Sequence, residues 1–239
     1  MRSEISRAGL LWAMLRDGNV RWTEGRSTAD SHRGAARRSE TRAAQAPFAV
    51  VLGCSDSRVP AEILFDQGLG DLFVIRTAGH VVDAAALGSI EYAVEFLGTE
   101  LIVVLGHDEC GAVATATDFL DGGHIPPGHI RDVAEWIAPH IVRARVAGAS
   151  TNADVCSQHS HYTAELLAAR SPVVNAMVRR GGSVVAALYS LSSGKVSEAH
   201  PLIERDKTPG DLHYHQALAG FERVVEHGLR GGRRHWPAS

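Results

Sequence analysis

Three cysteines in 239 residues are too few, and of the wrong parity, for a disulfide scaffold. In a reducing compartment, two of them read better as metal ligands. No apolar run approaches the ~20 residues that a membrane helix needs. The opening Met1-Arg2-Ser3-Glu4-Ile5-Ser6-Arg7 lacks the apolar stretch of a secretory signal. Leu10 to Leu15 is short and runs into Arg16-Asp17-Gly18, which fits an amphipathic helix and its stop. The expected location is the cytoplasm, with no membrane partner. Charge of one sign is scarce too: the balance is −3, which gives no electrostatic reason to expect nucleic acid. The local exception, Arg33, Arg37, Arg38 and Arg42, reads as a solvated basic linker or helix face.

What is present is ordinary globular material, 45% apolar and 21% charged, enough for one substantial core or two small ones. Residues 1–45 read as a helical arm with a polar connection. With little core of its own, the arm needs a neighbouring subunit or domain face to pack on. From 46 to 199 apolar strands alternate with helices. The strand candidates are 48–53, 72–76, 101–106 and 184–190, and Leu191 to Val196 reads as a hairpin turn into a short edge strand. The helix candidates are 84–97, 109–121, 131–147, 153–169 and 173–180. The alternation predicts an α/β fold with a mostly parallel central sheet of four to five strands flanked by helices. Residues 200–239 read as an extension of uncertain structure, with one candidate helix from His213 to His227.

Two short words stand at strand ends, where such sheets bind ligands. Cys54-Ser55-Asp56-Ser57-Arg58 follows Phe48 to Gly53, and His107-Asp108-Glu109-Cys110 follows Leu101 to Gly106. If the strands lie side by side, two thiolates, an imidazole and a carboxylate converge, a set that suits tetrahedral Zn²⁺. A lone cysteine is more often a small buried hydrophobe, and Cys156 is read that way, without a role. Arg58 can take the Asp56 carboxylate in a bidentate pair and hold it off the metal. Asp56 could then orient a zinc-bound water or hydroxide. The bland alternative is a surface ion pair worth about 0–1 kcal/mol.

These words, with Phe65-Asp66-Gln67-Gly68, Leu87-Gly88-Ser89-Ile90-Glu91-Tyr92-Ala93 and Cys110-Gly111, strongly resemble the β-class carbonic anhydrases from about Leu15 to about Val196. The resemblance implies Cys54, His107 and Cys110 as permanent zinc ligands. It implies Asp56 as a residue that ligates zinc in a closed form or pairs with Arg58 in an open one. It also implies Gln45 as a substrate or bicarbonate contact reaching across a dimer. Phe73, Ala78 and Tyr92 would line a small apolar pocket, partly from the partner subunit, and Gly111 would let backbone approach the site. The implied reaction is reversible hydration of carbon dioxide to bicarbonate by zinc-bound hydroxide, in a homodimer or larger homo-oligomer.

Some features depart from the family pattern or stay open. Asp108 and Glu109 replace small or neutral residues. They would raise the pKa of a metal-bound water if they faced it, but solvent exposure at a helix N-terminus is the preferred reading. A non-catalytic bicarbonate site of some members needs a tryptophan where Val51 stands, so Arg76 and Tyr189 alone do not predict one. His80 lies near the expected site, and packing is preferred for it over proton transfer. Carbonyl sulfide and carbon disulfide hydrolases share the zinc motif and are the alternative reading. A purely structural zinc would need none of Gln45, Asp56 and Arg58.

Overall fold

The computed structural model describes residues 6–28 and 32–198. The C-terminal extension and its candidate helix lie outside the described residues. The elements run α1 (Arg7–Thr23), α2 (Ala35–Glu40), β1 (Ala49–Cys54), α3 (Ala61–Leu64), β2 (Leu72–Thr77), a 3-10 turn (Ala78–His80), α4 (Ala84–Leu97) and β3 (Leu101–His107). They continue with α5 (Gly111–Leu120), α6 (Ile130–Val146), α7 (Asn152–Arg170), α8 (Pro172–Arg179), β4 (Ser183–Tyr189) and β5 (Val196–Glu198). The sheet order is β2-β1-β3-β4-β5. The first four strands are mutually parallel, and β5 returns antiparallel along β4. This is the mostly parallel α/β sheet that the sequence predicts.

The strands are near-continuous apolar runs because both sheet faces are covered. Alternate residues serve alternate faces. Val50, Leu52, Ile102, Val104, Val184 and Ala186 pack with Ile90, Val94, Leu167 and Met177 of the helices α4, α7 and α8. Ala49, Val51, Leu101, Val103, Leu105 and Val185 pack with Trp12, Leu15, Leu64 and Phe65 of the α1 and α3 side. A third cluster sits past the carboxyl ends of the strands. It joins Cys54 and Cys110 to Val113, Ile137, Ile141 and Cys156 from α5, α6 and α7.

Of the surfaces open to the N-terminal helix, the structure shows the chain's own sheet. Trp12 and Leu15 are fully buried on it. The carboxylate of Asp66, wholly buried, takes Arg21 Nε at 2.7 Å and the Thr28 N–H at 3.1 Å. Asn19 donates to the Leu64 and Gly194 carbonyls at 3.0 Å each and accepts from the Val196 N–H at 2.8 Å, so α1 also clips the edge strand. The basic stretch is more than a solvated face. Arg33 donates to the carbonyls of Glu62 and Gln67, and Arg37 to the Leu69 carbonyl and Asp71. These bonds tie α2 and its approach to the loop that leads into β2.

Candidate metal centre

Cys54 is the last residue of β1 and His107 the last of β3. The two strands are neighbours, in register from Val50↔Ile102 to Gly53↔Leu105, so their ends deliver sulfur and imidazole to one place. Glu109 then adopts φ 52, in the left-handed region, and Cys110 caps the N-terminus of α5. The turn brings Cys110 back over His107, and the helix N-terminus favours a thiolate there.

Among the described residues, Cys54, His107 and Cys110 offer ligand atoms that all lie within 4.8 Å of one another, each residue buried. The two sulfurs are 3.9 Å apart. Two thiolates on one tetrahedral zinc, with Zn–S bonds of about 2.3 Å, stand about 3.8 Å apart. His107 Nδ1 is 2.7 Å from the Asp108 carbonyl, to which it donates, while the buried Nε2 makes no hydrogen bond. A buried imidazole nitrogen with its lone pair turned toward two sulfurs, and its other nitrogen fixed by a carbonyl, is the arrangement of a metal ligand. The donor set therefore fits a soft, tetrahedral cation. The Cys110 hydrogen bond, helped by His107 and by backbone N–H groups at Asp56 and Gly79, draws Cys54 down to about 4, and the same pairing pushes Cys110 up.

Asp56 is held beside this group. Arg58 Nε lies 3.0 Å from Oδ1 and Nη2 lies 2.8 Å from Oδ2, and the Arg58 N–H adds a third bond at 2.9 Å. The side-chain bond from Arg58 keeps the carboxyl well below the usual carboxylate range, against the effect of burial. Arg76 anchors the same loop from β2, donating to the carbonyls of Cys54 and Asp56. Val51 is buried under α1, and Tyr189 lies in the same cluster against the Trp22 ring. Arg76 and Tyr189 thus serve the loop and the core.

The remaining predicted residues are distributed unevenly. Ala78 opens the 3-10 turn beside the metal group and is exposed; the next residue, Gly79, donates its N–H to Cys54 Sγ at 3.4 Å. Gly111 begins α5, and a methyl group added there would meet open space. Phe73 sits in register with Val50, four residues before the Cys54↔Thr77 row, and stacks on Tyr92 of α4 at 6.3 Å. Gln45 is exposed in the loop ahead of β1, at the opposite end of the strand from Cys54. This chain does not bring Gln45, Phe73 or Tyr92 to its own metal group.

The acidic pair after His107 splits. Asp108 Oδ1 accepts the Leu191 N–H at 2.8 Å and so braces the β4–β5 hairpin, while Glu109 is exposed. His80 is buried, its ring 4.3 Å from that of His159 on α7. Sequence reasoning did not single out His159. It lies 80 positions from its partner Gly79, inside a helix whose sequence gives no sign of a polar interior.

Comparison with known proteins agrees with this geometry. A family model described as carbonic anhydrase matches residues 49–196. A carbonic anhydrase of Mycolicibacterium smegmatis is 49% identical over 186 residues, covering 77% of this chain and 90% of the relative. Carbonic anhydrase 2 of Mycobacterium tuberculosis is 46% identical over 185 residues, covering 77% and 89%. The solved structure of a Coccomyxa β-carbonic anhydrase with acetazolamide superposes with a TM-score of 0.66 at 26% identity, covering 88% of this chain and 96% of the other. With two strand ends and a helix N-terminus converging on a Cys–His–Cys group, and with relatives this similar over most of its length, the chain belongs to the β-carbonic anhydrases, lyases that hydrate carbon dioxide.

Proposed function

We propose that this chain hydrates carbon dioxide as a zinc enzyme, with Cys54, His107 and Cys110 as the protein ligands. The observation that carries the reading is the orphaned, buried His107 Nε2 facing two sulfurs 3.9 Å apart. Two thiolates and one imidazole favour zinc over harder cations and leave one position open. Zinc in that position supplies a Lewis acid that lets water act as a nucleophile near neutral pH.

The chain's own residues do the rest. Asp56, kept ionised by the bidentate Arg58 pair, would accept a hydrogen bond from a water at the metal and orient it once zinc is held by Cys54, His107 and Cys110. Its Oδ2 lies 3.9 Å from His107 Nε2, near enough to become the fourth ligand if Arg58 released it. Ala78, exposed in the turn beside the metal group, is the candidate to meet a small linear substrate. Bicarbonate carries hydrogen-bonding groups that the apolar substrate lacks, and Gln45 is the candidate to meet them.

Gln45, Phe73 and Tyr92 support a homodimer or larger homo-oligomer, because each lies away from this chain's own metal group. Tyr92 and Phe96 also stack on each other at 5.2 Å while largely exposed, an apolar face for a second copy to cover. We place the reaction in the cytoplasm, consistent with three free cysteines. Among the described residues, no helix is long and apolar enough to cross a membrane.

The test is stopped-flow carbon dioxide hydration on protein of known zinc content. Turnover that scales with zinc, vanishes on chelation and returns with zinc is the expected result. A protein with one zinc per chain and no turnover between mildly acidic and alkaline pH would overturn the proposed site chemistry.

A further inference from the structure

Beside the metal centre the backbone takes an unusual path. Gly79 and His80 are consecutive left-handed residues, with φ 61 and 43. His80 carries a side chain in a region that favours glycine. At Gly79 an added side chain would be both strained and crowded, because its φ is positive and a Cβ would lie 2.6 Å from Ile137 Cδ1 and 3.0 Å from Ala112 Cβ. This path turns the Gly79 N–H onto Cys54 Sγ at 3.4 Å. Such backbone persists only where its surroundings fix it.

His159, from the middle of α7 and only 1% exposed, meets this turn. Its Nε2 is 2.8 Å from the Gly79 carbonyl, and its ring stacks 4.3 Å from the His80 ring. A carbonyl only accepts, so Nε2 carries the hydrogen. Burial lowers the imidazole to about 4, so the ring is neutral and Nδ1 is bare. The bare nitrogen accepts from His140 Nδ1 at 2.7 Å. One tautomer of each ring satisfies the whole chain, from His140 to His159 to the Gly79 carbonyl.

We propose that His159 is a positioning residue for the metal: it holds the Gly79–His80 turn in the left-handed path that aims the Gly79 N–H at the Cys54 thiolate. The inference rests on the reading of Cys54 as a zinc ligand. An N–H bonded to a thiolate ligand fixes the direction of its lone pairs and draws charge from the sulfur. Loss of such outer contacts costs roughly 10–100-fold in metal affinity.

The experiment compares wild type, His159→Leu and His159→Gln as full chains, loaded with zinc or with cobalt(II). His159→Leu keeps the bulk and loses the donor. It should release zinc to a chelator about tenfold faster or more, with shifted cobalt–thiolate charge-transfer bands. His159→Gln, whose amide N–H can reach the same carbonyl, should recover most of both. A Leu variant matching wild type in both readouts, or a Gln variant no better than Leu, would overturn the proposal by leaving His159 a packing role only. If the Leu variant fails to fold, ¹¹³Cd-loaded wild type decides. Scalar coupling between the Gly79 amide proton and cadmium through Sγ is expected, and its absence overturns the inference. Wild type that binds neither zinc nor cobalt overturns the metal reading itself, which separates the two failures.

Discussion

Arg58 grips both carboxylate oxygens of Asp56, at 3.0 and 2.8 Å, while Asp56 Oδ2 stays 3.9 Å from His107 Nε2. If the group holds zinc as proposed, this grip is what would keep Asp56 off the metal. Asp56→Ala should retain zinc and lose turnover by roughly 10²-fold or more, the scale of a lost proton-handling group. Arg58→Ala should fall comparably for the opposite reason, because Asp56 is then released toward the metal. Zinc content beside kcat/KM checks both, and an active Asp56→Ala protein would sink the water-orienting role.

Cys110→Ser should abolish tight zinc binding, since it removes one of three soft ligands. Wild type should gain stability from zinc by mass action, about 4 kcal/mol at a thousandfold excess over Kd. Thermal melts with and without added zinc check this. The expected variant melts lower and does not respond to metal.

Acid should loosen the interior around α7. Burial lowers His159 from an ordinary 6.5 to about 4 and pushes His80 and His140 down as well. Between those pH values the unfolded chain binds more protons than the folded one. Stability is therefore full above about pH 6.5 and declines as pH falls toward 4, by up to about 3 kcal/mol for His159 alone. Denaturant melts across this range should show the slope, and His159→Gln should flatten part of it.

Gly18 lies on α1 where it meets the end of α3, and an added Cβ would stand 1.9 Å from the Phe65 carbonyl oxygen. Gly18→Ala must push the helix away from its own sheet, at a cost of about 1–3 kcal/mol. A lower melting temperature is expected, with the metal group intact as judged by zinc content. Unchanged stability would mean that α1 draws little from this contact.

Much of this was legible from residue order. Apolar runs bounded by glycine and polar turns marked all four parallel strands within a residue or two, because burial on both faces leaves a simple signature. The Cys54 and His107 words were legible because each begins on the last residue of its strand. The short α3 and the 3-10 turn at Ala78–His80 were not read, since four and three residues carry no periodicity. The environment of α7 was hidden for another reason. Its polar interior positions include His159 and Ser160, which meet Gly79 and His80, 80 residues away in sequence. The destination of α1 was ambiguous because an amphipathic helix does not name the surface it covers.

The placement of the metal group also orders the chain's assembly. His107 and Cys110 are local to each other, but Cys54 comes from a strand 53 positions earlier and reaches them only when β1 and β3 have paired. A cation meeting the nascent chain finds at most two ligands. Tight capture should wait until the sheet has closed, which would make a bound metal a late lock on a finished scaffold and not a template for folding it. Refolding with and without zinc should then share one rate of sheet formation and differ in the rate of coming apart.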